Sequence, residues 1–371
     1  MENQYTRRLK KIEDVMEKWL PETPGSSWLE GVFGPNLTLP QGFVTPELAA
    51  SLTRPGWDLV NRGGKRWRPL LMVLAAESIA GKNGFDAALP LVPLVEFPHN
   101  ASLIHDDIED NSDERRGKPA VHLVYGTDTA INSGAFLYFL PLACLSVWAE
   151  GVSSAEVLKY KERIWSVWAS HMRALHLGQA MDIAWHRDYH SLPGLDEYDR
   201  MCRLKTGCLA RLAAVLGVYC AGTSPGADLN GEALESLALA FAEAAEQLGV
   251  GFQILDDVKN LDTGLPGKKR GDDIVEGKKS LPVLLYLHRH PEKKDFAARC
   301  FTAARTHGTA APEVEEFIRT LEEAGVLEEA REKGLEYIRK SREIFSWPAI
   351  CGFDLQKEGR DLLTGLIDLI H

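Results

Sequence analysis

Apolar residues along this chain recur at helical spacing and almost never in strict alternation. Between Tyr5 and Leu20, Leu9, Ile12, Val15, Met16 and Trp19 fall on one helical face, and a stretch punctuated by Pro and Gly follows from Pro21 to about Pro46. This reads as an arm and then a loop. From Arg68 onward, long runs of Leu, Ala, Val and Ile are broken only by Gly or Pro. Asp228 to Asp256 is rich in Ala, Leu and Glu, with apolar positions on more than one face, which predicts a central helix. Turn formers cluster at Ser191–Gly194, Gly222–Gly231, Gly264–Gly271 and His307–Pro312, yet none resembles a flexible interdomain linker. Hairpin dipeptides and internal repeats are scarce. The expectation is an all-α protein, with residues 1–60 as a helical arm and loop and residues 61–371 as one helical domain.

Composition narrows the partners more than the fold. With 45% hydrophobic and 26% charged residues, the chain is that of a soluble globular protein. Its net charge of -11 disfavours nucleic acid and requires any anion to be met by local basic clusters or by metal. Six scattered cysteines show no metal or redox spacing, and Met1 to Lys11 lacks the apolar core of a secretory signal, so a cytoplasmic location is expected. Thr129 to Ala149 is uncharged and about long enough to span a bilayer. Asn132, Ser133, Gly134 and Pro141 weaken that reading, and a buried core helix rather than a membrane span is expected.

Two acidic clusters, Asp106-Asp107-Ile108-Glu109-Asp110 and Asp256-Asp257-Val258-Lys259-Asn260, each end an apolar stretch. Asp106 and Asp110 share a helical face, as do Asp256 and Asn260. Like charges so placed repel, and hard divalent cations offset the repulsion. Magnesium, which favours carboxylates, water and phosphate oxygens, points to a diphosphate as cargo. Arg115 and Arg116 follow the first cluster, suited to gripping phosphate oxygens by forked hydrogen bonds. Gly63 to Pro69 offers a basic turn before a helix start, and Lys205-Thr206-Gly207 an ammonium beside a hydroxyl. The Gly264–Lys279 loop concentrates Lys268, Lys269, Arg270, Lys278 and Lys279, as a lid over an anion would. Each piece alone is also read as a solvated helix end or a plain basic surface turn. Their company favours the anion site.

Together these elements resemble the trans-isoprenyl diphosphate synthases, the polyprenyl synthetase family, and most resemble its geranylgeranyl type. The resemblance covers about Gly63 to Pro282, through Gly63–Pro69, Ser102–Pro119, Gly178–Asp182, Lys205–Gly207, Phe252–Asp257 and Gly271–Lys278 in order. It implies antiparallel helices around a deep apolar cavity, and an enzyme that joins isopentenyl diphosphate to an allylic prenyl diphosphate. By resemblance Asp106, Asp110 and Asp256 would hold magnesium, three ions with substrate bound, assisted by Asp107, Asp257 and Asn260. Arg115 would meet the allylic diphosphate, and Lys65, Arg68, His99 and Arg116 isopentenyl diphosphate. Lys205, Thr206, Gln253, Lys268 and Lys278 would contact the allylic substrate or its leaving group. Asn260 stands where many relatives carry Asp, a mark of the geranylgeranyl type, and Trp67 is bulkier than the motif leads one to expect, which suits packing.

Small residues at Ala101 and Ser102, one turn before Asp106, leave room for a prenyl tail. Where family members stopping at fifteen carbons commonly carry aromatic residues, the resemblance implies a product longer than farnesyl, namely geranylgeranyl diphosphate, or a longer polyprenyl diphosphate as the alternative. Phe97, Phe136, Tyr138 and Phe139 are candidates for the floor of the channel or for ordinary core. A homodimer is implied by the family alone. Two rival readings are a noncatalytic partner subunit and a terpene cyclase; Lys65, Arg68 and His99, as a home for a second diphosphate, favour condensation over cyclisation.

Overall fold

In a computed structural model, residues 2–34, 44–148, 155–224, 231–264 and 269–370 are described. Of the described residues 82% are helical, and strands occur among them only as two short antiparallel hairpins, at 114–119 and 349–354. It is all-α, as the apolar spacing predicts. The residues fall into two compact units. One comprises Met1–Ser170, Leu212–Ala242 and Phe345–Asp368, and the other His171–Arg211, Glu243–Ile344 and Leu369–His371. The arm and loop of residues 1–60 belong to the first.

The first unit is built on the helix Trp67–Ala88, where every residue from Leu70 to Ala76 is at most 1% exposed. A helix apolar on all sides must be surrounded. The N-terminal helix Glu2–Trp19 is tied down by Tyr5, whose hydroxyl donates to the Leu362 carbonyl at 2.7 Å, and by the pairing of Arg8 with Glu77. The predicted loop contains a short helix, Ser26–Phe33, whose Trp28 and Phe33 rings pack on Phe136. Pro93–Asp110 starts on a proline, whose fixed φ suits the first helical position, and stops at Asn111, a left-handed residue with φ 55°. The uncharged stretch after Thr129 forms two helices, Thr127–Phe139 and Pro141–Val147. It and Leu195–Gly222 are long and apolar enough to cross a membrane by length and composition alone, 50% and 83% buried respectively. The first is thus only half core: Phe139 is 66% exposed, while Tyr138 is buried against the His105 ring.

In the second unit Phe301 and Phe317 meet edge to face at 5.7 Å within a core that includes Leu284, Ile318 and Leu321. The helix Leu195–Cys202 begins where Glu197 accepts from the Gly194 amide at 2.7 Å, and it runs into a π-helical turn, Arg203–Gly207, before Cys208–Gly222 continues. The central helix spans Gly231–Asp262, six residues beyond the predicted end. None of the six cysteines forms a disulfide, and five of them are buried.

Candidate active site

The first acidic cluster occupies the last turn of Pro93–Asp110, with no basic residue in that turn. The helix C-terminus carries partial negative charge, so each of these carboxylates costs roughly 0.3–1 kcal/mol there. A helix end that breaks this rule so heavily marks a place kept for chemistry. Asp107 is buried and accepts from Arg115 Nε at 2.8 Å, while Asp106, one position earlier and partly exposed, lies 3.5 Å from the same guanidinium. Asp110 is 4% exposed.

Arg115 and Arg116 are presented by the 114–119 hairpin, which turns on Arg116 and Gly117 at φ 56° and 74°. Arg62 holds the hairpin by donating to the carbonyls of Arg115 and Pro119 at 3.2 and 2.7 Å, and Asp58 holds Arg62 in turn at 2.6 Å. Arg116 donates to the Leu59 carbonyl and to Asn100 Oδ1. Gly64, at φ 130°, passes so close that an added Cβ would sit 3.3 Å from the Arg116 guanidinium. Only glycine fits both that conformation and that gap.

Beneath Arg116 lies Glu96, 2% exposed, 2.8 Å from Arg66 Nη1 and accepting from Asn100. Arg68 is buried, stacked over the Trp67 ring at 4.4 Å, with Nη1 3.4 Å from His99 Nε2. Burial first, and then Arg68, Arg116, Arg66 and Arg115, push the His99 pKa well below 6.5. A guanidinium only donates, so the neutral ring accepts at Nε2 and carries its proton on Nδ1. Burial likewise lowers Arg116 to about 10, against the pull of Glu96. Lys65 is exposed beside them. Among the described residues Arg66, Arg68 and Arg116 gather about the buried carboxylate of Glu96, and such a concentration of positive charge suits an anion.

In the second unit the π-turn carries Lys205 and Thr206, and such turns concentrate at functional sites. Lys205 Nζ lies 2.5 Å from Asp182, and Thr206 donates to Gln253 Oε1 at 2.7 Å. Gly178 makes room, because a Cβ there would come 2.5 Å from the Lys205 amide nitrogen. Gln253 in turn donates to Asp257, whose other oxygen accepts from Tyr198 at 2.7 Å and the Leu281 amide at 3.3 Å. Burial raises the Asp257 pKa against those hydrogen bonds. Asn260 is 1% exposed and accepts from the Asp273 amide at 3.1 Å. Asp256 is partly exposed, and Lys278 pairs with Glu276 at 2.5 Å. Lys268 lies outside the described residues.

Asp106, Asp110 and Asp256 are carboxylates on helix faces, Asp106 reaching Arg115, and Asp107, Asp257 and Asn260 hold guanidinium, hydroxyl and amide donors in place. Gln253 bridges Thr206 to Asp257. Among the described residues no three His, Cys, Asp or Glu side chains converge on one point. That donor set fits magnesium, which is held by one or two carboxylates with water and phosphate oxygens completing the shell. A cavity of about 770 Å³ lined by Arg187, Tyr189, His190, Asp295, Arg299 and His307 contains none of the expected residues. Sequence reasoning missed Glu96, Arg66, Asn100, Arg62 and Tyr198. Glu96 had a signal, a lone carboxylate in an apolar run.

Known proteins resemble this chain in sequence and in fold. A short chain isoprenyl diphosphate synthase of Methanocaldococcus jannaschii is 39% identical over 64% of this chain and 66% of its own length. A geranylgeranyl diphosphate synthase of Methanosarcina mazei is 35% identical over 77% of this chain and 80% of its own. The crystal structure of geranylgeranyl pyrophosphate synthetase from Pyrococcus horikoshii superposes with a TM-score of 0.77 at 26% identity, covering 100% of this chain and 98% of that one. Residues 49–319 match the family model for polyprenyl synthetase, and the chain belongs to that family.

Proposed function

We propose that this protein is a magnesium-dependent trans-prenyltransferase that condenses isopentenyl diphosphate with an allylic prenyl diphosphate, giving geranylgeranyl diphosphate or a similar product longer than farnesyl. The observation that carries this reading is that each unit holds its own cationic group, Arg66, Arg68 and Arg116 about the buried Glu96 in the first and Lys205 and Lys278 in the second. Condensation needs two diphosphates and therefore two anion sites. Arg68, Arg116, Lys65 and neutral His99 receive isopentenyl diphosphate, and Arg115, Lys205 and Lys278 the allylic diphosphate, with Thr206, Gln253 and Lys268 supporting the leaving group.

Asp106 and Asp110 of the first unit and Asp256 of the second are the proposed ligands of magnesium, three ions with substrate bound. When bound, the metal neutralises charge that builds on the departing pyrophosphate. Lys205 and Lys278 add fixed positive charge to the same oxygens, which lowers the barrier to ionisation of the allylic carbon. Asp182 and Glu276 hold these two ammonium groups in place. The isopentenyl double bond then attacks, and its proton leaves on the released pyrophosphate; no side chain is required as base. A neutral His99 suits this scheme, since it neither repels the arginines nor competes for the proton. Ala101 and Ser102 mark the wall along which the tail grows. A homodimer in the cytoplasm completes the proposal.

Purified protein incubated with magnesium, isopentenyl diphosphate and radiolabelled farnesyl diphosphate should yield a labelled twenty-carbon diphosphate, lost with a chelator or with Asp106→Asn. No extension with any allylic primer would refute the reading in favour of a noncatalytic partner subunit. A cyclic hydrocarbon made without isopentenyl diphosphate would refute it in favour of a cyclase.

A further inference from the structure

Lys279, next to Lys278, is only 2% exposed. Its ammonium donates to the Gly277 carbonyl at 3.0 Å and lies 4.4 Å from the Phe301 ring centroid and 5.7 Å from that of Tyr189. The two rings pack on each other at 5.6 Å. Among the described residues no carboxylate lies within ion-pairing distance of it; Asp182 and Asp188 act only at longer range, and burial lowers its pKa to about 8. A lysine caged by rings and one carbonyl is an expensive way to fill space, since a methionine would pack there without a charge to desolvate. Such local costs are kept where function needs them.

The carbonyl it grips belongs to a turn with no freedom. Gly277 stands at φ 81°, and a Cβ there would come 2.8 Å from both the His186 carbonyl and the Tyr189 ring. The Lys278 amide closes the same turn by donating to the Asp273 carbonyl at 2.8 Å. We infer that Lys279 is a positioning residue, whose caged ammonium holds the Gly277 turn and so sets where Lys278 presents its charge to the allylic diphosphate. This rests on the role given to Lys278 above.

The test compares full-length wild type, Lys279→Met and Lys279→Arg by steady-state kinetics for both substrates and by thermal melting. Lys279→Met should melt at or above the wild-type temperature, because the buried charge is gone. Its KM for the allylic diphosphate should rise about tenfold with the KM for isopentenyl diphosphate nearly unchanged, as for a misplaced contact. Lys279→Arg, which keeps charge and donor, should restore most of the allylic KM. An unchanged allylic KM in Lys279→Met, an equal rise in both KM values, or a melting loss that Lys279→Arg shares would overturn the inference. Wild-type protein that transfers no prenyl group would overturn the underlying reading and the inference with it, whereas active wild type with an unaffected Lys279→Met overturns the inference alone.

Discussion

Replacing Glu96 by Gln keeps the shape of the side chain and removes the one carboxylate beneath the basic cluster. Arg66 and Glu96 side chains are 5% and 3% exposed and 2.8 Å apart, so solvent screens little of their attraction. At an effective dielectric of about 20, that separation corresponds to roughly 6 kcal/mol. The amide retains some hydrogen bonding, and breaking a buried pair from one side costs about 3–5 kcal/mol, so the lower range is the better guide. For a chain of this length, at about 2 °C per kcal/mol, the melting temperature should fall by roughly 6–10 °C. Arg66 and Arg116, left facing each other without their counterion, should also move, and the KM for isopentenyl diphosphate should rise about tenfold with the allylic KM less affected. Thermal melting and two-substrate kinetics measure both effects. A Glu96→Gln protein that melts within about 2 °C of wild type and keeps its isopentenyl diphosphate KM would show that the buried carboxylate does not organise this cluster.

Three further expectations follow from named contacts. Gly178→Ala places a Cβ against the backbone of Leu204 and Lys205 at 2.5–2.7 Å, so kcat should fall about a hundredfold with roughly 1–3 kcal/mol of stability; a kcat near wild type would remove Gly178 from the positioning of Lys205. Lys279 releases its proton near 8 in the folded state and near 10.5 when unfolded, so between those values the unfolded chain binds more protons and stability rises with pH by up to about 3 kcal/mol. Urea midpoints across that range should show a rise that Lys279→Met flattens, and parallel curves for the two proteins would contradict it. Ser102→Phe, at a partly buried position, should shorten the product seen by chromatography, while Ala101→Phe, at a fully buried one, should shorten it and also cost roughly 1–3 kcal/mol by overpacking; an unchanged product from both would take these residues out of chain-length control.

Helices are legible in this chain because runs of Leu, Ala and Glu combine high propensity with a 3.6-residue apolar period over long windows. The end of Pro93–Asp110 is legible too, since Asn tolerates the left-handed conformation that stops a helix. The 114–119 hairpin is not. Its turn places Arg at a positive φ where Asn or Asp is usual, a conformation held by the distant Arg62. Within the site, motifs identify which residues gather but not what each does. Asp256 and Asp257 look alike in sequence, yet neighbours on a helix point about 100° apart, and that phase turns Asp257 inward to Tyr198 and Leu281. Asn260 shows the same limit: the amide it accepts from belongs to Asp273, thirteen residues on, beyond any local pattern.

The π-turn at Arg203–Gly207 makes the number of residues here matter as much as their kind. One extra residue in the turn offsets the helical phase by about 100° between Tyr198 and Met201 on one side and Leu209, Leu212 and Leu216 on the other. Deleting a single residue would heal the irregularity into a smoother helix and swing one buried stripe toward water. Insertions and deletions in this stretch cannot be absorbed, and engineering that regularises the helix for robustness would carry Lys205 and Thr206 out of alignment with Asp182 and Gln253.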